Sequence, residues 1–201
     1  MTGFRIVKLK ILIEEHGKEF AQKLLSDFSC PLNTDVEYFL HKNAIIFSEQ
    51  SLSQTHLVFA SYQNSPVLVG YFTLANKYIT VSGKHISKTL KKRLSKFAPY
   101  DSDTKGYCIA APLIAQIGKN YAGGYNSLIS GDELLKMACD KVSDAQLDIG
   151  GKVTYLECED KPQLLQFYER NGFCVFDRRD LDPDETDLDG EYLVQLLKYL
   201  R

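Results

Sequence analysis

Residues 153–173 read VTYLECEDKPQLLQFYERNGF. Three elements join here with almost no connecting chain. Lys152 to Cys158 (KVTYLEC) mixes β-branched, aromatic and aliphatic residues and predicts a strand. Asp160-x-x-Gln163, with Pro162 in the first turn, opens a short helix. Gly172 ends that helix as a left-handed cap, and Phe173 to Phe176 begins another strand. Because side chains alternate along a strand, Glu157 and Glu159 point to one face and Cys158 to the other.

Downstream, Asp177 to Glu191 is an acidic loop and Tyr192 to Leu200 a last strand. Upstream, Ser130-x-x-Glu133 is a capping-box pattern at the head of a helix that buries Leu134, Leu135, Ala138 and Val142. A loop rich in Gly, Asn and Tyr (118–129) precedes it, and before that Tyr107 to Ile117 forms an apolar strand in which Pro112 marks a bulge or an edge. His85 to Phe97 predicts a basic helix with Ile86, Leu90, Leu94 and Phe97 on one stripe. Thr55–Ala60 and Pro66–Thr80 predict a hairpin whose turn is Gln63-Asn64-Ser65. Before residue 50 the periodicity is helical. One stretch covers 5–28 with Ile6, Leu9, Ile13, Phe20, Leu24 and Phe28 apolar and a break near Gly17. A second starts at the capping-box pattern Thr34-x-x-Glu37 and buries Val36, Phe39, Leu40 and Phe47.

The whole chain is 201 residues, 44% hydrophobic, with Lys+Arg 24 against Asp+Glu 26. A chain of this length buries roughly 70% of its unfolded surface and needs no disulfide or metal to fold. The net charge of −2 excludes bulk packaging of polyanions, while local basic patches stay open. Ile11-Leu12-Ile13 is too short for a signal core and is followed by Glu14 and Glu15. Five scattered cysteines without CxxC or CxxH spacing predict neither a disulfide framework nor a zinc site, and a cytoplasmic location. No metal site is expected. The element order predicts a single mixed α/β domain over 1–201, with residues 1–50 a helical segment packed on it.

Tyr168-Glu169-Arg170-Asn171-Gly172-Phe173, at the end of a short helix between two strands, resembles the Tyr-x-x-x-Gly-Phe signature of the GNAT superfamily of N-acetyltransferases. The strand–loop–helix over 113–142 then falls where that superfamily keeps its acetyl-CoA pyrophosphate loop, and the hairpin falls where its second and third strands lie. The resemblance covers roughly residues 55–200. It implies a central mixed sheet with splayed strands flanked by helices. One departure stands out. The superfamily's pyrophosphate motif is usually [Q/R]-x-x-G-x-[G/A], and the aligned residues here run from Asn126 through Ser127, Leu128, Ile129 and Ser130 to Gly131. Only Gly131 matches.

The resemblance implies acetyl transfer from acetyl-CoA to a primary amine by direct attack. Its cofactor-binding residues would be Gln116, Ile117 and Gly118, with the edge of Ala115-Gln116-Ile117 taking the pantetheine arm, and Leu128, Ile129, Ser130, Gly131 and Asp132 around the diphosphate. The Ile117 N–H would receive the oxyanion where this strand parts from the one at 153–158. Tyr168 falls at the superfamily's general-acid position, and Glu157 or Glu159 is a candidate for the base that frees the amine. A core tyrosine and a solvated strand end are the competing structural roles. The acceptor ranks first as a small-molecule or protein amine and second as an aminoacylated tRNA of the toxin type. A non-catalytic acyl-CoA-binding module is the alternative from another class. No membrane partner is expected. Residues 1–50 either cover the active site or make a homodimer contact. The acidic stretch at 177–191 would either attract a cationic substrate or solubilise the surface.

Overall fold

A computed structural model describes residues 3–84, 86–182 and 190–200. In chain order the elements are β1 (Arg5–Lys8), α1 (Leu9–His16), α2 (Lys18–Ser26), α3 (Thr34–Tyr38), a π-helical turn (Phe39–Asn43) and α4 (Ala44–Glu49). There follow β2 (Gln54–Tyr62), β3 (Ser65–Ser82), α5 (Lys88–Leu94), β4 (Tyr100–Asp101) and β5 (Gly106–Lys119). A 3-10 turn (Ala122–Ser127), α6 (Gly131–Ile149), β6 (Val153–Cys158), α7 (Pro162–Arg170), β7 (Cys174–Asp180) and β8 (Tyr192–Tyr199) complete the order. The chain divides into two compact units, one of Met1–Ala75 with Ile114–Ala138 and one of Asn76–Leu113 with Cys139–Arg201. Strands β3 and β5 and helix α6 each contribute a segment to both. No helix among the described residues is long and apolar enough to cross a membrane.

In the first unit the strands neighbour one another in the order β1, β2, β3, β5. Residues 5–8 overturn the helical expectation: they form a strand antiparallel to β2, from Arg5↔Phe59 to Lys8↔His56. The pattern of Ile6 and Leu9 fits a helical stripe, but β2 offers an open edge and Ile6-Val7 suits a strand. Gly17, at φ 87, breaks the helix as expected, and the break resets the helical phase. Leu25 is therefore buried at 1% exposure, whereas Phe20 is 50% exposed. Asn33, rather than Thr34, caps α3, its side chain accepting from the Val36 amide at 3.2 Å. The β2–β3 turn is the two-residue Gln63-Asn64, both at positive φ, so Ser65 already belongs to the strand. The core gathers Leu9, Leu25, Phe28, Leu40, Leu57 and Tyr71, and each fully buried leucine contributes about 2 kcal/mol.

In the second unit the order is β3, β5, β6, β8, β7, with β4 pairing β5. β5 runs parallel to β6 through the single registered pair Leu113↔Tyr155, whereas β6 and β8 pair antiparallel from Val153↔Tyr199 to Cys158↔Val194. Pro112 sits beside that pair, and its carbonyl accepts from the Thr154 hydroxyl at 2.9 Å. Helix α5 begins at Lys88, capped by Ser87, whose hydroxyl accepts from the Leu90 amide. It covers Val81, Tyr107, Ile109, Tyr155 and Leu197 with Leu90 and Leu94. Phe97, assigned to that stripe, lies beyond the helix and is 38% exposed. The expected acidic loop begins later than Asp177, because β7 continues to Asp180; residues 183–189 lie outside the described residues.

Candidate functional site

In the first unit, β5 leads through a tight turn into α6. Gly118 lies against α3: a Cβ there would run into Val36 Cγ1 and touch Cys30 and Phe28. Gln116 donates its side-chain amide to Asp35 Oδ2 at 2.8 Å. Asn120 is 2% exposed and ties three segments together. Its Oδ1 accepts from the Ser29 and Ala122 amides, both at 3.0 Å, and its Nδ2 donates to the Leu68 carbonyl at 2.9 Å. Lys119 donates from Nζ to the Asn126 carbonyl at 3.0 Å and the Ile129 carbonyl at 3.2 Å. Gly123 and Gly124, at φ 59 and 73, supply the left-handed backbone that folds the turn back.

At the head of α6 the capping box forms in both directions. The Ser130 amide and hydroxyl donate to Glu133 Oε2 at 2.9 and 2.7 Å, and the Glu133 amide donates to the Ser130 hydroxyl at 3.1 Å. The backbone hydrogen bond from Ser130, then that from its hydroxyl, holds the Glu133 carboxyl below its ordinary range. An anion thus already rests on the Ser130 N–H. Of the residues expected around a diphosphate, Ile129 is buried, Leu128 and Gly131 are half-buried, and Ser130 and Asp132 are exposed. Ile129 spends its side chain on the core, which accounts for a β-branched residue in place of glycine.

The second unit holds Tyr168 and Glu157. Tyr168 is 7% exposed on α7, its ring against Phe167 at 5.0 Å and Phe173 at 5.9 Å. The Phe173 and Gly172 amides return to the Tyr168 and Glu169 carbonyls, and Gly172 takes φ 84, so the FYERNGF stretch closes the helix as read. Burial, then the nearby Cys158, raises the phenol's pKa. The Cys158 thiol is pushed up to about 12 by burial and by Asp160 and Glu159; it stays a thiol and is no nucleophile.

Glu157 is held by two neighbouring side chains. Arg179 donates to its Oε2 from Nε at 3.1 Å and Nη2 at 2.9 Å, and Gln195 donates to its Oε1 at 2.7 Å. Both oxygens are engaged by neighbouring side chains, and the strand end is an ordered polar cluster. Glu159 pairs with Lys161 at 2.9 Å. Asp160, read as a helix cap, instead accepts the Tyr192 hydroxyl at 2.6 Å, while α7 starts at Pro162 without a side-chain cap. Among the described residues no group of three or more His, Cys, Asp or Glu is placed to hold a metal.

No protein-family model matches the chain and no curated protein matches it. Solved structures do. A mutant of KacT is 15% identical over 97% of this chain and 94% of its own, with a TM-score of 0.63. AtaT in complex with acetyl-methionyl-tRNAfMet is 16% identical over 96% and 94%, with a TM-score of 0.59. AtaTR bound with acetyl-CoA is 14% identical over 98% and 92%, with a TM-score of 0.57. At such identities the likeness is one of fold.

Proposed function

We propose that this chain, whose fold is that of the GNAT superfamily, is an N-acetyltransferase that takes its acetyl group from acetyl-CoA and passes it to a primary amine. The observation that carries the reading is the corner between β5 and α6, where the Ser130 amide at the head of a nineteen-residue helix already holds a carboxylate. Amides and helix dipole there suit phosphate oxygens equally well. The AtaTR structure bound with acetyl-CoA supports the same ligand.

Acetyl-CoA brings the activated thioester; the chain's residues bind and protonate. Ser130, Gly131 and Asp132, with Leu128 and Ile129 before them, would hold the diphosphate by backbone. The backbone of Gln116, Ile117 and Gly118 would straighten the pantetheine arm by strand addition, and the Ile117 N–H would donate to the oxyanion. Tyr168, protonated at every working pH, is the general acid for the departing thiolate. With Glu157 committed to Arg179 and Gln195, the amine's proton leaves to water rather than to this carboxylate.

A second reading of the acceptor is the α-amino group of an aminoacyl-tRNA. The likeness to AtaT with acetyl-methionyl-tRNAfMet favours it, as does the run Lys88, Lys91, Lys92, Arg93 and Lys96 on and beside α5. The test supplies acetyl-CoA with an amine panel and with charged tRNA, and follows free thiol. Turnover that Tyr168→Phe lowers about 100-fold supports the reading. Calorimetric binding of CoA with no turnover on any acceptor would replace it with a binding module.

A further inference from the structure

The departure of residues 126–131 from the usual glycine-bearing motif leaves the question of what shapes that turn. Lys119 lies at the end of β5, half-buried, with its ammonium on two carbonyls, those of Asn126 and Ile129. In a planar trans peptide the C=O and the following N–H point in opposite directions. The Asn126 carbonyl facing Lys119 therefore turns the Ser127 amide the other way. The Ile129 carbonyl facing Lys119 likewise turns the Ser130 amide outward, where it meets the Glu133 carboxylate at 2.9 Å.

One cation thus orients two peptide planes of the turn. A charge-assisted bond from an ammonium is roughly twice as strong as a neutral one, so the arrangement can offset the stiffness of Ile129. The ammonium also lies 5.9 Å from the centre of the Tyr121 ring, and the Tyr121 amide is anchored on the Ser29 carbonyl at 2.7 Å. The backbone that follows the lysine is anchored as well by the Asn120 amide, which donates to the Val69 carbonyl at 2.8 Å.

We propose that Lys119 is the positioning residue of the diphosphate turn: it orients the 126–127 and 129–130 peptides so that their amides face the anion, the task that glycine torsions perform in the usual motif. This rests on the acyl-CoA reading above. Lys119 acts through the backbone, so its loss should affect ligands that carry the diphosphate and spare those that lack it.

The experiment is calorimetric titration of the full chain and of Lys119→Met with CoA and with pantetheine, which has no diphosphate, alongside thermal melts without ligand. The expected result is a fall of about ten-fold or more in CoA affinity, with pantetheine affinity and ligand-free melting close to those of the unaltered chain. If Lys119→Met does not fold, Lys119→Gln, which keeps N–H donors without the charge, takes its place with the same expectation. A folded variant that binds CoA as tightly as the unaltered chain, or that loses CoA and pantetheine to the same degree, overturns the role of Lys119 alone. An unaltered chain that binds no CoA overturns the acyl-CoA reading and this inference with it.

Discussion

Arg179 closes on Glu157 through two nitrogens, at 3.1 and 2.9 Å, while Gln195 takes the other oxygen at 2.7 Å. Three strands meet in that cluster, since Glu157 lies on β6, Arg179 on β7 and Gln195 on β8. Its hydrogen bonds tie these three strands to one another.

Replacing Glu157 should therefore cost stability and leave the chemistry in place. Glu157→Ala removes two of the hydrogen bonds of the guanidinium, which is 28% exposed and keeps Asp182 and the Asp180 carbonyl, and destabilises by about 1–2 kcal/mol. Urea denaturation measures this. The acid limb of the kcat–pH profile stays where it was in Glu157→Gln; a limb that disappears would restore Glu157 as the base.

Folding stability should decline in alkali. Burial pushes the Tyr155 phenol and the Cys158 thiol up to about 12 from ordinary values near 10 and 9. Above those ordinary values the unfolded chain sheds protons that the folded chain retains. Their stabilisation is whole below about pH 9 and drains as pH rises toward 12. Denaturation midpoints between about pH 8 and about pH 11 should fall, and more gently in Cys158→Ala. Equal slopes in the two chains would refute the assignment to Cys158.

Glu133 and a diphosphate would compete for the Ser130 amide. Glu133→Ala loses half of the capping box, at about 0.5–1 kcal/mol of helix stability. It should nevertheless bind CoA about three- to ten-fold more tightly, because a charge next to the phosphates is gone. Calorimetry decides, and weaker CoA binding by a folded variant would count against the proposed corner.

Gly118→Ala should destabilise by about 1–3 kcal/mol, because the new methyl meets Val36 where β5 and α3 touch. Asn120→Ala should cost a similar amount, about 2–3 kcal/mol, by leaving the Ser29 and Ala122 amides and the Leu68 carbonyl without their partner. Thermal melts of the two variants test both; a neutral Asn120→Ala would mean that water replaces the side chain.

Local signals were readable wherever the decisive partners lie within a few residues. The Ser130–Glu133 capping box spans four residues, the Gln63-Asn64 turn two, and the Gly172 and Phe173 amides close α7 onto carbonyls three and five residues back. Arg5–Lys8 misled because its strand partner lies far along the chain, at His56–Phe59. A helical count of apolar residues carries no information about an open sheet edge.

The candidate site divides along the same line. Tyr168, the strand end at Gln116 and the helix head at Ser130 are carried by motif and spacing, so the chain order alone marks them. Lys119 and Asn120 sit in the unremarkable run GKNYAGG, and nothing in their own neighbourhood singles them out. Asn120 becomes a clip because Ser29 and Leu68, 91 and 52 positions away, are brought to it.

Most of the order of helices and strands after residue 50, the Ser130 and Gly172 caps and the tyrosine signature followed from the amino-acid sequence, because torsional preference and short-range hydrogen bonds act between near neighbours. Which polar groups are occupied was decided only by the folded chain. Whether Glu157 is a free base or an anchored one, and whether Lys119 is a solvated surface charge or the pin of a turn, depends on residues that only packing brings within 3 Å or so of each other.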